Sequence, residues 1–445
     1  MSTEPEKIVT VEELQAEIEK VFLIKDPYIV ELLLAYIICH FITGDPVWIT
    51  IVAASGGGKS EFINMIHKVE WTRPATKEVP DPKKEVVTQI STMTSKTFIS
   101  GAKKVGVETS LLLQIKNGII TLKDFTSILS MQKDERAEIM GQFREIYDGK
   151  YAKSFGTGET LEWEGKISVL AGSTFTIHEM RQSYAAMGER FMFYELEQPA
   201  GKDAGRKTME NQEEGLMTEH REDLAIKLGS LAMAVLDNMK NNAPTKITID
   251  QREDALDLAE LATRARSSVR RNFYSREQEI ENVDPPEMPT RFAGQLQQIM
   301  RALKILNQYR FSKPELTDNN MKLIAKIALN SVTRSRHIAM VELAKYDTIT
   351  TAGIAVKLGL PTATVRRWLE ELVALEVADR EKGSGPKGDT WKIKPAYRKI
   401  LQRFENIGHE GAELTESTAL TEAGLLVEAE EAKTQQDALD EFEKM

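Results

Sequence analysis

A glycine-rich turn between an apolar strand and a helix holds the residues of this sequence that are best suited to chemistry. The run 47–52 predicts a buried strand and 61–66 begins a helix. Such a turn aims backbone N–H groups and a helix N-terminus at a phosphate. We expect Lys59 to reach the β- and γ-phosphates of ATP and the Ser60 hydroxyl to contact Mg²⁺. The residues expected to surround the nucleotide are Ala53, Ser55, Gly56, Gly57, Gly58, Lys59, Ser60 and Glu61.

Polar residues that follow two further predicted strands would complete a nucleotide site. The strand 118–122 ends in Lys123-Asp124-Phe125, and the acid Asp124 would hold Mg²⁺ or orient the attacking water. The strand 166–171 is followed by Ser173 and Thr174, whose hydroxyl groups would bond the γ-phosphate or its water. Each prediction has a structural alternative, because Asp124 or Thr174 would equally cap a following helix.

An arginine precedes a last predicted strand, 192–196. Within Gly188-Glu189-Arg190-Phe191, the guanidinium of Arg190 would stabilise transition-state charge on the phosphate of a neighbouring subunit. For an arginine considered alone, a surface ion pair is the alternative.

Composition limits the class of protein. The chain has 445 residues, of which 41% are hydrophobic and 28% charged, enough for two or three ordinary domains. Cys39 is the only cysteine, which excludes an intramolecular disulfide and favours a cytoplasmic location. The six histidines are scattered and predict no zinc site. The apolar stretch 28–42 is too short to span a bilayer, so we expect a buried helix, no membrane partner and no signal peptide.

The negative charge is concentrated near the C-terminus. Residues 410–445 contain eleven acids and two lysines, a charge of −9, so the rest of the chain carries −1 of the net −10. A nearly neutral body with local basic stripes is compatible with DNA binding. We expect the acidic tail to be disordered.

Strands that alternate with helices predict an α/β parallel sheet with its site at the carboxyl ends of the strands. Beyond residue 203 the periodicity predicts helices over 224–239, 251–272 and 290–309, the last with Thr290 as its N-cap. These helices would form a lid. The predicted parts of the chain are an N-terminal helical segment (1–45), a nucleotide-binding α/β core (46–200), the helical lid (201–315), a winged helix (316–402) and the acidic tail (403–445).

The segment 349–394 has the pattern of a winged helix-turn-helix domain. Helices are predicted over 349–357 and 363–375, and strands over 378–382 and 390–394. Such domains bind DNA or dock proteins. The basic residues expected to contact DNA phosphates are Arg366, Arg367, Lys382, Lys387, Lys392 and Lys394.

Together these segments resemble the AAA+ ATPase fold and, within it, the minichromosome-maintenance (MCM) helicases, over about residues 26–399. The run 118–125 resembles the Walker B strand of the family, and 167–174 resembles its sensor 1 strand, with Thr174 in place of Asn. Glu189-Arg190-Phe191 is similar to the Ser-Arg-Phe arginine finger. Pro289-Thr290-Arg291-Phe292, with Arg301 on the same helix, resembles the sensor 2 segment.

The resemblance implies several functional residues. Arg190, with Arg291, would act on the ATP of a neighbouring subunit, and ATP and Mg²⁺ would be the cofactors. The segment 150–163 lies at the position of a hairpin that enters the ring channel in the family. There Lys150, Lys153 and Phe155 would offer charge and stacking to single-stranded DNA, and a solvated hairpin is the alternative.

The chain departs from the family pattern in two further respects. Lys123 stands where the Walker B aspartate is expected, and there is no room for the large N-terminal domain of the family. The resemblance implies a hexameric, ATP-driven DNA helicase or translocase, in a compact form similar to the replication ATPases of phages and mobile elements. A nucleotide-switched DNA-binding regulator and a defence ATPase that acts on protein partners are the alternatives.

Overall fold

A computed structural model shows two compact units, Met1–Arg334 and Ser335–Met445. Lys387 and the expected acidic tail from residue 405 onward lie outside the described residues. The described residues are 8–24, 26–67, 86–100, 110–156, 158–178, 190–197, 201–213, 217–239, 246–272, 278–383 and 388–404.

The strands of the first unit are β1 (Trp48–Val52), β2 (Val87–Ile90), β3 (Gly118–Leu122), β4 (Lys150–Ser154), β5 (Thr160–Glu164), β6 (Ile167–Ser173), β7 (Phe191–Glu195), β8 (Val269–Arg271) and β9 (Ile280–Val283). Five of them form a parallel sheet in the order β2-β3-β6-β1-β7, which confirms the predicted α/β class. The other four form two separate antiparallel pairs, β4 with β5 and β8 with β9.

The helices of the first unit are α1 (Val11–Phe22), α2 (Ile29–Phe41), α3 (Lys59–His67), α4 (Leu111–Ile115), α5 (Thr126–Leu129), α6 (Lys133–Tyr147), α7 (Gly201–Glu213), α8 (Met217–Met239), α9 (Ile249–Ala265), α10 (Thr290–Phe311) and α11 (Asp318–Asn330). A 3₁₀ turn, Phe175–His178, follows β6. The apolar stretch expected to be a buried helix is α2, most of which is buried. Within the described ranges no helix has the length and apolar character needed to cross a membrane.

The central strands are apolar along their whole length because both faces of the sheet are covered. Every residue of β1 and β3 is buried. On one face Trp48, Phe125, Phe143 and Phe191 pack together, with ring centroids 5.0 Å apart for Trp48 and Phe191 and 4.7 Å apart for Phe125 and Phe191. The ring of Phe125 thereby fixes the chain directly after Asp124.

The helical region beyond residue 203 is confirmed with two corrections. The helix predicted over 251–272 ends at Ala265, and Val269–Arg271 instead pairs with Ile280–Val283. Strands of three and four residues are too short to produce a readable alternation. Thr290 is the first residue of α10, and Pro289 is the N-cap, with φ already near the helical value at −68°.

The last helix of the first unit, α11, lies within the region that the sequence analysis assigned to the winged helix (316–402). The residues at the end of α11 accept hydrogen bonds from backbone N–H groups of β7, which is an outer strand of the sheet. Ser331 Oγ accepts a hydrogen bond from the Phe193 N–H at 3.1 Å, and Asn330 Oδ1 accepts one from the Glu195 N–H at 3.1 Å. An edge strand needs such partners for its backbone donors. The helix α11 therefore belongs to the first compact unit, which extends to Arg334.

A buried ionic cluster also ties α11 to the sheet. Lys326 Nζ donates to Asp26 Oδ2 and to Glu197 Oε1, each at 2.8 Å. Asp26 is 0% and Lys326 1% exposed. Asp26 also accepts a hydrogen bond from the Tyr194 hydroxyl, and burial together with the Asp26 charge raises the pKa of Tyr194. The cluster joins the segment before α2, the end of β7 and α11.

Removal of Lys326 is expected to destabilise the first unit, because two carboxylates would lose their shared cation in a buried place. Lys326→Ala should lower the free energy of unfolding by about 3–5 kcal/mol, measured by urea denaturation. The exposed Lys322 on the same helix provides a matched control, and Lys322→Ala should change it by less than about 0.5 kcal/mol. Equal effects of the two substitutions would contradict the role given to the cluster.

Among its described residues, the second unit contains four helices, two of which are joined by a short turn, and a small three-stranded sheet. Its elements are α12 (Arg334–Ala344, which begins at the last residue of the first unit), β10 (Ile349–Thr350), α13 (Thr351–Leu358), α14 (Thr362–Ala374), β11 (Ala378–Glu381), β12 (Thr390–Ile393) and α15 (Pro395–Arg403). The antiparallel order is β10-β12-β11, and Gly359 ends α13 with φ +66°. The helices and strands therefore occur close to their predicted positions, and β10 is an added third strand.

Candidate nucleotide site

The parallel register brings the polar ends of four strands to one edge of the sheet. Val52 pairs with Ser173 of β6 and with Glu195 of β7, and Leu122 of β3 pairs with Ala171 of β6. We call the segments that directly follow β1, β3, β6 and β7 the carboxyl edge, and those that directly precede these strands the amino edge. The glycine-rich turn, Asp124 and Ser173 all lie at the carboxyl edge.

The turn between β1 and α3 needs glycine at two positions. Gly56 and Gly58 have φ of +76° and +82°, a region that other residues adopt only with strain. A Cβ on Gly58 would lie 2.6 Å from Ile24 Cδ1, because the segment after α1 packs against the turn. The Ala53 N–H donates to the Ser173 carbonyl at 3.2 Å, which continues the sheet into the turn. The turn therefore has a defined shape, and α3 begins at Lys59 with its N-terminal N–H groups at this edge.

Lys59 and Asp124 are electrostatic neighbours. Lys59 Nζ donates to the carbonyl of Ala54 at 3.3 Å, so the side chain folds back over its own turn. Partial burial lowers the pKa of Lys59, and the Asp124 carboxylate acts in the opposite direction. Two sequence-predicted residues separated by 65 positions are thus brought together.

Asp124 also makes the capping contact considered as its alternative. Its Oδ1 accepts a hydrogen bond from the Thr126 N–H at 3.0 Å, and its carbonyl accepts one from Ser127 Oγ at 2.8 Å. Ser173 Oγ lies 2.8 Å from Thr126 Oγ1, which links the end of β6 to the same short helix, α5. Asp124 is therefore held in place at the carboxyl edge.

Thr174 lies at the same edge but has a local partner. Its Oγ1 is 2.5 Å from Thr176 Oγ1 within the turn that follows β6. The half-buried Thr174 hydroxyl can still donate to a phosphate oxygen or a water if the Thr176 hydroxyl is the donor in this contact.

The partner of Glu61 was not found by sequence reasoning. Arg221 of α8 forms a bidentate ion pair with Glu61, with Nε–Oε2 at 2.7 Å and Nη2–Oε1 at 2.6 Å. These hydrogen bonds raise the pKa of Arg221. The two residues are 160 positions apart, and no local pattern predicts such a contact. The pair borders a cavity of about 300 Å³, lined by Phe22, Glu61, Asn64, Met65, Thr218 and Arg221.

The side chains at the carboxyl edge do not match a resident Mg²⁺, which the resemblance implies. Among the described residues no three His, Cys, Asp or Glu side chains lie together as metal ligands would. Both oxygens of Glu61 are held by Arg221, and one oxygen of Asp124 accepts from Thr126. The oxygens of Ser60 and Asp124 are left as possible metal ligands, and the positively charged Lys123 directly precedes Asp124 in the chain. Mg²⁺ is commonly held by one or two protein carboxylates. Here Asp124 is the one carboxylate left among the residues described above, and the adjacent Lys123 opposes a bound cation, so we assign no step to Mg²⁺.

Arg190 lies at the amino edge, directly before β7. Its guanidinium donates to Asp148 at 3.0 and 3.2 Å and lies 5.4 Å from the ring centroid of Tyr147. Five residues of β7 separate this edge from the carboxyl edge, roughly 16 Å at ~3.3 Å per residue. Arg190 therefore does not share an edge with Lys59 of its own chain.

Arg291 belongs to the same group as Arg190. Burial and then the Arg291 charge lower the pKa of Arg190, and Asp148 raises it. Arg291 Nη1 itself lies 2.9 Å from Glu287 Oε1. The structure thus brings the two predicted arginines together at the amino edge, each with a carboxylate partner.

The predicted hairpin forms, but its lysines have partners within the chain. Lys150 Nζ lies 3.4 Å from Glu164 Oε1, and Lys153 Nζ donates to the Ser95 carbonyl at 3.3 Å. Phe155 packs, partly buried, against the apolar core. Its ring is less available for base stacking than the sequence analysis expected.

Two of the basic residues predicted in the second unit, Arg366 and Lys392, have ion-pair partners within the chain. Arg366 is exposed on α14 and pairs with Glu370 at 3.0 Å, and Arg367 is half-buried. Lys392 Nζ lies 3.0 Å from Glu381 Oε1 across the strand pair. Lys387 lies outside the described residues.

Neither the comparison with protein-family models nor the comparison with curated proteins found a match. Function is therefore inferred from the residues at the two edges of the sheet.

Gly58→Ala is expected to destabilise the protein more than Gly56→Ala. Both substitutions place alanine at a positive φ, a cost of about 1 kcal/mol. At Gly58 the added methyl group also meets the buried Ile24, whereas nothing lies within 4 Å of the same position on Gly56. Urea denaturation should show an additional loss of about 1 kcal/mol at Gly58. This difference should disappear in an Ile24→Ala background, and its persistence there would contradict the contact.

Proposed function

We propose that this chain binds a nucleoside triphosphate at the turn 53–60 and hydrolyses it as an AAA+ ATPase. The observation that carries the proposal is the convergence of Lys59, Asp124 and Ser173 at one sheet edge, beside a turn with two glycines at positive φ. A glycine turn that enters a helix presents N–H groups and a lysine to phosphate oxygens.

The proposed chemistry uses residues of that edge. The Lys59 ammonium attracts the β- and γ-phosphate oxygens, and Asp124 orients a water toward the γ-phosphorus. The water oxygen bonds to phosphorus as the bond to the ADP oxygen breaks. The products are ADP, inorganic phosphate and a proton, which Asp124 or solvent accepts.

An assembly of subunits follows from the position of the arginines. Arg190 and Arg291 lie at the amino edge, away from the turn of their own chain. A second copy that presents its amino edge to this carboxyl edge brings two cations to the γ-phosphate. Repetition of this head-to-tail contact closes a ring, and a hexamer is the size that the AAA+ resemblance implies.

The second unit supplies the proposed contact with DNA. Its helices α13 and α14 are joined by a short turn, and the exposed Arg366 lies on the second helix. This order of elements supports the proposal of a winged helix-turn-helix domain, a class in which the second helix enters the major groove. Combined with nucleotide hydrolysis in a ring, it supports a DNA helicase or translocase.

A nucleotide-switched DNA-binding regulator is the second candidate, and the hairpin favours it. The outward side chains of β4 and β5 include Glu162 and Glu164 against Lys150, an unfavourable balance for a strand that follows a DNA backbone. ATP-dependent strand displacement on forked DNA separates the two. Displacement supports the helicase, and DNA binding without displacement supports the regulator.

Lys59→Ala is expected to weaken ATP binding by at least tenfold, because the cation opposite the phosphates is lost. Asp124→Asn should bind ATP normally but hydrolyse it slowly. Equilibrium titration with ATP and a phosphate-release assay measure these effects, with Lys322→Ala as the control for surface charge. Unchanged ATP binding in a folded Lys59→Ala protein would overturn the assignment of the turn.

Arg190→Ala is expected to bind ATP normally and to hydrolyse it about 10³-fold more slowly, the usual effect of losing an arginine finger. Arg270→Ala controls for the loss of an arginine–aspartate pair, because Arg270 pairs with Asp284 at 3.0 Å, and the thermal midpoint of each variant controls for the burial of Arg190. A mixture of Arg190→Ala with Lys59→Ala subunits should recover activity, since some interfaces then contain an intact Lys59 and an intact Arg190. Full activity of Arg190→Ala alone would contradict action between subunits.

A further inference from the structure

Two glutamates of the carboxyl edge are held by cationic side chains of the protein. Glu61 is held by Arg221 in a bidentate pair, and Glu197 lies 2.8 Å from Lys326 Nζ, which it shares with Asp26. Asp124 is the acid whose charge acts on Lys59. Glu61 and Glu197 are therefore committed to ion pairs within the fold, and are not available as ligands of a divalent cation.

Lys123 adds a positive charge at the same edge. Side chains alternate between the two faces of a strand, and Ile120 and Leu122 of β3 lie in the aromatic core. By this alternation Lys123 belongs to the other face of the sheet, which α3 covers.

The backbone gives independent support for this position. The Lys123 carbonyl lies 2.7 Å from where a Cβ on Gly172 would be, and the same point is 2.7 Å from Ile63 Cδ1 of α3. The chain at Lys123 therefore lies beside the helix whose first residue is Lys59. The charges of Lys59, Lys123 and Asp124 sum to about +1 for this part of the edge.

We infer that the site binds the triphosphate without a divalent metal ion, because Lys123 supplies with Lys59 the positive charge that a metal would otherwise provide. This inference rests on the proposed nucleotide site. An ammonium group binds phosphate oxygens as a point charge. A fixed cation also repels a divalent ion. The combination of one carboxylate and two lysines thus binds a metal-free triphosphate at least as well as its magnesium complex.

The test is an equilibrium titration of the full-length protein with ATP, in EDTA and in excess Mg²⁺. The inference predicts dissociation constants within about threefold of each other, or tighter binding in EDTA. Binding in Mg²⁺ that weakens more than tenfold in EDTA would overturn the inference and leave the proposed function standing. An absence of binding in both buffers would overturn the proposed function itself.

Variants at position 123 assign the effect to the lysine. Lys123→Ala should weaken ATP binding in EDTA by at least tenfold, Lys123→Arg should retain it, and the exposed Lys322→Ala should leave it unchanged. Lys123→Asp should bind poorly in EDTA and regain affinity in Mg²⁺, because it restores a second carboxylate beside Asp124. Circular dichroism and the thermal midpoint establish that each variant is folded. Parent-like binding of Lys123→Asp in EDTA would overturn the inference, since the charge at this position would then not matter.

Discussion

The parallel pairing of β1 with β6 on one side and with β7 on the other determines where all of the candidate chemistry lies. Because the pairing is parallel, the glycine-rich turn, Ser173 and Glu195 must leave the sheet at one edge, and β3 adds Asp124 beside them. The same pairing sends Arg190 to the opposite edge. An antiparallel β7 would have placed Arg190 next to the turn of its own chain, and no partner would be needed to bring an arginine to the phosphates.

Ion pairs then give the two edges different electrostatic properties. At the amino edge, two neighbouring arginines are each held by a carboxylate, Asp148 or Glu287. At the carboxyl edge, Glu61 and Glu197 are held by cationic side chains, the Asp124 charge acts on Lys59, and Lys123 directly precedes Asp124 in the chain. An anionic ligand between such edges would meet Lys59 on one side, and on the other side Arg190 or Arg291 once either arginine exchanges its carboxylate partner for the phosphate. The proposed head-to-tail assembly requires this exchange.

Much of this arrangement was predictable from local sequence, because its signals are local. The strand, glycine turn and helix around Lys59 are consecutive, and Asp124 directly follows an apolar run. The contacts that were missed join distant positions: Glu61 with Arg221, Asp26 with Lys326, and Ser331 with the backbone of β7. Such pairs leave no periodic pattern. The β8–β9 pair was missed for a different reason, since three- and four-residue strands inside a helical region are shorter than the window in which alternation is recognised.

The central claim is that a triphosphate lies against the backbone of the turn 53–60. Amide hydrogen–deuterium exchange of the full-length protein, with and without saturating ATP, tests this claim most directly. Bound phosphate should protect the N–H groups of the turn and of the first residues of α3, so exchange should slow in peptides covering residues 53–62. Exchange in β12 and α15 of the second unit serves as the internal reference. Unchanged exchange across 53–62 at saturating ATP would contradict the account.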